Sequence, residues 1–141
     1  MQVFIVGSPL ETAQALDARR LQKQILETKQ ILDAINGKKA WRNHPCVLQY
    51  KEHKDWLIWY IYCLMCYKRG WLNDARHQSS LADSMRPDFH TEEYFDQMKR
   101  RLYTKMPEHY NQWEHLGESD VNWYFVDGEW RYYRNGKRIE L

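Results

Sequence analysis

A chain of 141 residues is long enough to bury one hydrophobic core without disulfide or metal staples, and it contains no linker-like stretch that would divide it into separate domains. With 43% apolar and 15% aromatic residues, seven Trp and ten Tyr among them, it reads as a folding globular chain and not a disordered one. A net charge of only +2 excludes a polybasic chain, so any nucleic-acid surface must come from where the charges sit and not from their sum.

Met1 to Gly7 is apolar but too short for a signal peptide and lacks a basic leader, and no stretch approaches the ~20 apolar residues of a membrane span. No membrane partner is expected, and a cytoplasmic location is. Of the three cysteines, Cys63 and Cys66 lie inside an apolar helical run; they read as buried thiols, with metal or redox work as the alternative, since a single Cys-x-x-Cys pair lacks the four ligands of structural zinc. No cofactor is expected.

In chain order, Gln2 to Val6 is a short β-branched and aromatic run suited to an extended conformation. Ser8-Pro9-Leu10-Glu11 then supplies a helix start, with Ser8 as cap, Pro9 at the first helical position and Glu11 completing a capping box. Asp17 offers a second start. The helix after it carries Leu21, Ile25, Thr28, Leu32 and Ile35 at spacings of four and three, a stripe expected to be buried, and ends at Asn36-Gly37. After Lys38-Lys39, the run Trp41-Arg42-Asn43-His44-Pro45 reads as a loop entering another helix, with Asn43 or His44 at its N-terminus. Trp56 to Tyr67 is nearly continuous in apolar and aromatic residues, so a core helix buried on most sides is expected there, stopping at Lys68-Arg69-Gly70. Residues 72–90 carry Asn, Asp, Ser and Pro without a period and read as a long loop, suited to covering a site. Thr91-Glu92-Glu93 starts a helix that runs to about Lys105 before Pro107. From Asn122 to Leu141, Asp127-Gly128 and Asn135-Gly136 separate alternating aromatic runs, the pattern of a small β-meander. The fold class is therefore mainly α: a compact bundle of three or more helices with a small C-terminal β-meander.

Two segments carry candidate chemistry. On the helix after Asp17, residues three and four apart share a face, which gathers Arg20, Lys23, Gln24, Glu27 and Gln30 into one polar stripe. A carboxylate among cationic side chains stays ionised and can stabilise a sugar cation or move a proton, although a mixed-charge stripe is more often simply a solvated face. Arg42-Asn43-His44 adds two donors and a titratable ring at a helix N-terminus, where free N–H groups attract phosphate; His44 before proline is equally at home as a structural loop residue. Together they offer a basic groove with one carboxylate in it, a nucleic-acid site equipped for chemistry. In the meander, Trp130, Arg131, Tyr133, Arg134, Lys137 and Arg138 interleave aromatic and basic side chains; packing against helices is the favoured reading, and no site is assigned there.

The run Leu16-Asp17-Ala18-Arg19-Arg20-Leu21-Gln22-Lys23-Gln24-Ile25-Leu26-Glu27, followed by Gln30-Ile31-Leu32 and by Trp41-Arg42-Asn43-His44-Pro45, resembles the pyrimidine-dimer DNA glycosylase/AP lyase family. Asn36-Gly37-Lys38, Lys68-Arg69-Gly70 and Pro107-Glu108-His109-Tyr110 fall in the matching order, so the likeness covers roughly residues 1–113, and the meander lies outside it. The domain reading that follows is one domain over 1–141, with a glycosylase-like helical core at 1–113 and a meander extension at 120–141. The resemblance implies an enzyme of base-excision repair that binds duplex DNA with a damaged or altered base, kinks it and displaces a base. An N-terminal α-amine would attack C1′ of the nucleotide to form an imine, and a glutamate would stabilise charge and assist strand cleavage by β-elimination. Glu27 matches that glutamate, and His44 aligns with a histidine of the family that would support the groove or a proton transfer. By position and chemistry Arg20, Lys23, Gln24, Gln30, Arg42 and Asn43 would contact DNA. Because Gln2 is large, removal of the initiator residue is not expected, and the amine would be that of Met1, α-amines as a class being partly neutral near physiological pH. The protein would act as a monomer. A monofunctional glycosylase using water, a non-catalytic DNA- or protein-binding module on the same scaffold, and a plain scaffold with a solvated polar stripe remain as alternatives.

Overall fold

The computed structural model describes residues 1–141 and is mainly α, with six α-helices, a 3-10 turn and a three-stranded antiparallel sheet. The chain forms two compact units, Met1–Asp88 and Phe89–Leu141. No helix is long and apolar enough to cross a membrane.

The first unit opens with residues 1–5, which belong to no helix or strand yet are mostly buried, with Val3 and Ile5 fully so. Helix α1 (Pro9–Ala15) follows, opened by the reciprocal box of Ser8 and Glu11 with Pro9 at its first position, as the sequence predicts. Helix α2 (Ala18–Ile35) is capped by Asp17, whose carboxylate accepts the Arg20 N–H at 3.3 Å. Its buried face is Leu21, Gln24, Thr28, Ile31 and Ala34, not the expected Leu21, Ile25, Thr28, Leu32 and Ile35. Ile25, Leu32 and Ile35 are only half-buried. The reason is local: the face turns toward the extended residues 2–4, whose backbone needs polar partners, and Gln24 supplies them.

His44 leads a helix as predicted, but it is short. Helix α3 (Pro45–Tyr50) ends at a turn in which His53 N–H donates to Tyr50 C=O at 2.9 Å, and α4 (Lys54–Lys68) begins afresh. Tyr50, Trp56 and Tyr60 form a stack across this break, with ring centroids 5.5 and 4.8 Å apart, and all three are buried. Helix α4 buries Trp56, Leu57, Tyr60, Ile61, Cys63 and Leu64, while Tyr62 on its far side is exposed. Gly70 adopts φ +80° just beyond the helix end, the left-handed stop that the Lys-Arg-Gly run suggests.

Residues 72–90 correct the expectation of a long loop: Leu72–Asp83 is helix α5. Its buried face is Ala75, Ser79 and Ala82, spaced four and three, and small side chains let it lie close along α4. A helix that packs through Ala and Ser carries no large apolar stripe for a periodicity argument to find. Ser79 also accepts the Leu10 N–H at 3.0 Å, joining α5 to the start of α1.

In the second unit, Thr91 caps helix α6 (Glu92–Lys105), accepting the Tyr94 N–H at 3.2 Å. The 3-10 turn Asn111–Leu116 leads to β1 (Asn122–Val126), β2 (Glu129–Arg134) and β3 (Lys137–Ile139), paired in that order. Both two-residue turns have positive φ at each position, 53° and 76° for Asp127-Gly128 and 51° and 76° for Asn135-Gly136, the geometry that matches strand twist. Helix α6 belongs with this meander because its side chains bind the connecting segment. Gln97 donates to Val121 C=O at 2.6 Å, Arg100 to Leu116 C=O at 2.9 Å, and Arg101 to the Asn122 side chain at 2.9 Å. The basic side chains of the meander are largely paired, Arg131 and Arg138 with Glu129 and Arg134 with Asp120.

Candidate active site

The site forms around the first residues of the chain, in the first unit. Glu27, in the third turn of α2, is mostly enclosed, its side chain 18% exposed. One carboxylate oxygen accepts the Gln2 N–H at 3.3 Å and the other lies 4.0 Å from Lys23 Nζ. The Met1 α-amine lies one residue before that N–H. Its positive charge also acts on His44 and Cys46, so four chemically distinct groups share one place.

His44 caps α3 through Nδ1, which accepts the Cys46 N–H at 3.1 Å. An accepting Nδ1 puts the proton of the neutral ring on Nε2, leaving that edge as a donor. Burial first, and the neighbouring α-ammonium second, hold its pKa below the usual histidine value. Trp41 lies edge-on to the ring with centroids 6.1 Å apart. Between the lowered folded pKa and the unfolded 6.5 the unfolded chain binds more protons, so the cap's contribution is complete above 6.5 and is lost as pH falls toward the folded value. Accordingly His44→Ala should cost about 1 kcal/mol near neutral pH, a cap's ordinary worth, and progressively less in acid. Urea unfolding of both proteins across a pH series checks this; a difference that grows with acidity would contradict the cap assignment.

Cys46 is fully buried and receives a backbone hydrogen bond from Val3. Burial, reinforced by the Glu27 charge, pushes its thiol up to about 12, against the smaller opposing effects of the α-ammonium and that hydrogen bond. It stays protonated and is no nucleophile near neutral pH.

Of the residues expected in the site, the structure brings together Met1, Glu27, Lys23 and His44. Arg20 is half-buried on α2, one turn before Lys23, whereas Gln30, Arg42 and Asn43 are exposed and make no hydrogen bond or ion pair with that group. Gln24 is a correction: it is 2% exposed, and its amide bonds the backbone of residues 2 and 4, so it cannot face DNA. A helix face three to four residues wide cannot be split into polar and buried sides by residue type alone when the core itself needs an amide. Sequence reasoning also missed Cys46 and Tyr60. The available signal was the first segment itself, an apolar run with no partner strand anywhere nearby in the chain.

No curated protein and no solved structure matches the chain. A family model described as pyrimidine dimer DNA glycosylase does, over residues 1–79. That span holds Met1, Lys23, Glu27, His44 and Cys46, lies wholly within the first unit and is more than half of the 141 residues. The chain belongs to the pyrimidine dimer DNA glycosylase family.

Proposed function

We propose that the chain is a DNA N-glycosylase with AP-lyase activity, acting as a monomer on duplex DNA that carries a pyrimidine dimer or another altered base. The observation that carries this reading is the position of the first residue, whose neighbouring N–H donates to Glu27 at 3.3 Å. An amine and a carboxylate so placed suit a covalent route. The amine lone pair attacks C1′, the C1′–N bond breaks, and the base leaves with its electron pair and takes up a proton. Loss of an amine proton and opening of the sugar give the imine. Glu27 then removes a proton from C2′, and the electron pair expels the 3′ phosphate. Water hydrolyses the imine and frees the amine.

His44, whose neutral ring carries its proton on Nε2, donates to phosphate or to a departing group. Arg20 and Lys23 contact phosphate from α2, and Arg42, Asn43 and Gln30 extend the contact over exposed surface. A damaged or mispaired base costs least to extrude, which supplies selectivity without a dedicated reader. The reading is tested by borohydride reduction with an abasic duplex: a covalent protein–DNA adduct is expected, and its absence would leave a water-using glycosylase or a non-catalytic binder. The contacts have their own test. Lys23→Ala and Arg42→Ala should each weaken binding uniformly across sequences and lower the slope of log affinity against log salt by about 1. Unchanged slopes would remove both from the interface.

A further inference from the structure

We propose that Gln24 and Tyr60 form a clamp that positions the N-terminal amine against Glu27; the inference rests on the amine chemistry proposed above. Residues 2–6 are buried, or nearly so, without a partner strand, so their backbone groups need other partners. A primary amide is the side chain whose donor and acceptor reproduce those of a peptide group. Gln24 uses both on the same segment: its Nε2–H donates to Gln2 C=O at 2.7 Å, and its Oε1 accepts the Phe4 N–H. The amide orientation is dictated by these partners, since a backbone N–H only donates and a carbonyl only accepts. Tyr60 Oη lies 2.5 Å from Phe4 C=O and 2.9 Å from Gln24 Oε1, and its single proton serves the two.

The clamp lies one turn before Glu27 on the same helix, about 4.5 Å along its axis. One rigid element thus carries both the carboxylate and the amide that holds residues 2 and 4, so the separation of amine and carboxylate is set by helix geometry and not by loop motion. The Tyr50–Trp56–Tyr60 stack fixes the phenol from the other side. For an apolar contact alone Leu would serve as well, and a buried amide is worthwhile only where both ends are bonded.

The test compares borohydride trapping on an abasic duplex, as a single-turnover rate, with duplex affinity for wild type, Gln24→Glu and Tyr60→Phe. In Gln24→Glu the side chain can donate to Gln2 C=O only while protonated, and burial favours that form. Its rate relative to wild type should therefore fall as pH rises, reaching about a hundredfold loss, the scale of a misplacement near 1 Å, while duplex affinity holds. Tyr60→Phe, which removes one hydroxyl and stays folded should the Glu variant fail to, should lose about tenfold at all pH values. Trapping at the wild-type rate in either folded variant would overturn the clamp, as would a loss that follows duplex affinity. No adduct in the wild type would instead overturn the amine reading beneath it.

Discussion

Glu27→Gln should lower base release from dimer-containing duplex by about 10²- to 10³-fold, the range for loss of a group that stabilises charge developing in the transition state. The substitution keeps the shape, and a Gln carbonyl can still accept the Gln2 N–H now bound at 3.3 Å, so the first residues should stay docked. What disappears is the charge facing the developing sugar cation and the base that takes the C2′ proton. Affinity for the duplex should be unchanged or slightly tighter, because one negative charge leaves a surface that also bears Lys23. Single-turnover base release and band-shift titration separate the two effects. Release at the wild-type rate would sink the assignment of Glu27 and favour a binding module.

Comparable in size is the effect of altering the start of the chain. Residues 2–6 are anchored by Glu27, Gln24, Tyr60 and Thr12, so one extra residue before Met1 should carry the free amine about 3.5 Å beyond its place while the anchors hold. Acetylation of the amine should leave the position intact and take its lone pair into an amide. Borohydride trapping should be lost in both cases, with intact mass establishing which residue leads each preparation. Persistent trapping in the extended protein would point to another amine, and Lys23, 4.0 Å from Glu27 and largely exposed, is the one in reach.

Local signals are legible in the sequence. Ser8 and Glu11, Asp17, His44 with Pro45, Thr91, and the Asp-Gly and Asn-Gly turns each act within a few residues of themselves, so their chemistry is complete in the string. Glu27 and Lys23 stand out by sharing one face of α2 and His44 by preceding Pro45 at a helix start, and the resemblance adds the role expected of Glu27. Helix α5 escaped because Ala75, Ser79 and Ala82 pack by being small, and smallness has no amphipathic signature. Gln24 was placed on the outer face because polarity normally marks solvent. The pairing that buries it spans 22 residues to Gln2 in one direction and 36 to Tyr60 in the other. Contacts of that length are a property of the assembled unit, and Cys46 beside Val3 is another of the same kind.

The long-range anchoring of residues 2–6 has a consequence for the order of events during synthesis. They are made before α2 and α4, yet every group that holds them lies later in the chain, the farthest 56 residues beyond Phe4. At synthesis rates of roughly 5–20 residues per second, the segment waits some seconds for the last of these partners. The segment therefore settles after residues far downstream of it, and a chain lacking α4 lacks the Tyr60 hydroxyl that binds Phe4 C=O. On the proposed amine chemistry, competence for attack would follow completion of the helices that hold residues 2–6 and not the synthesis of the amine itself.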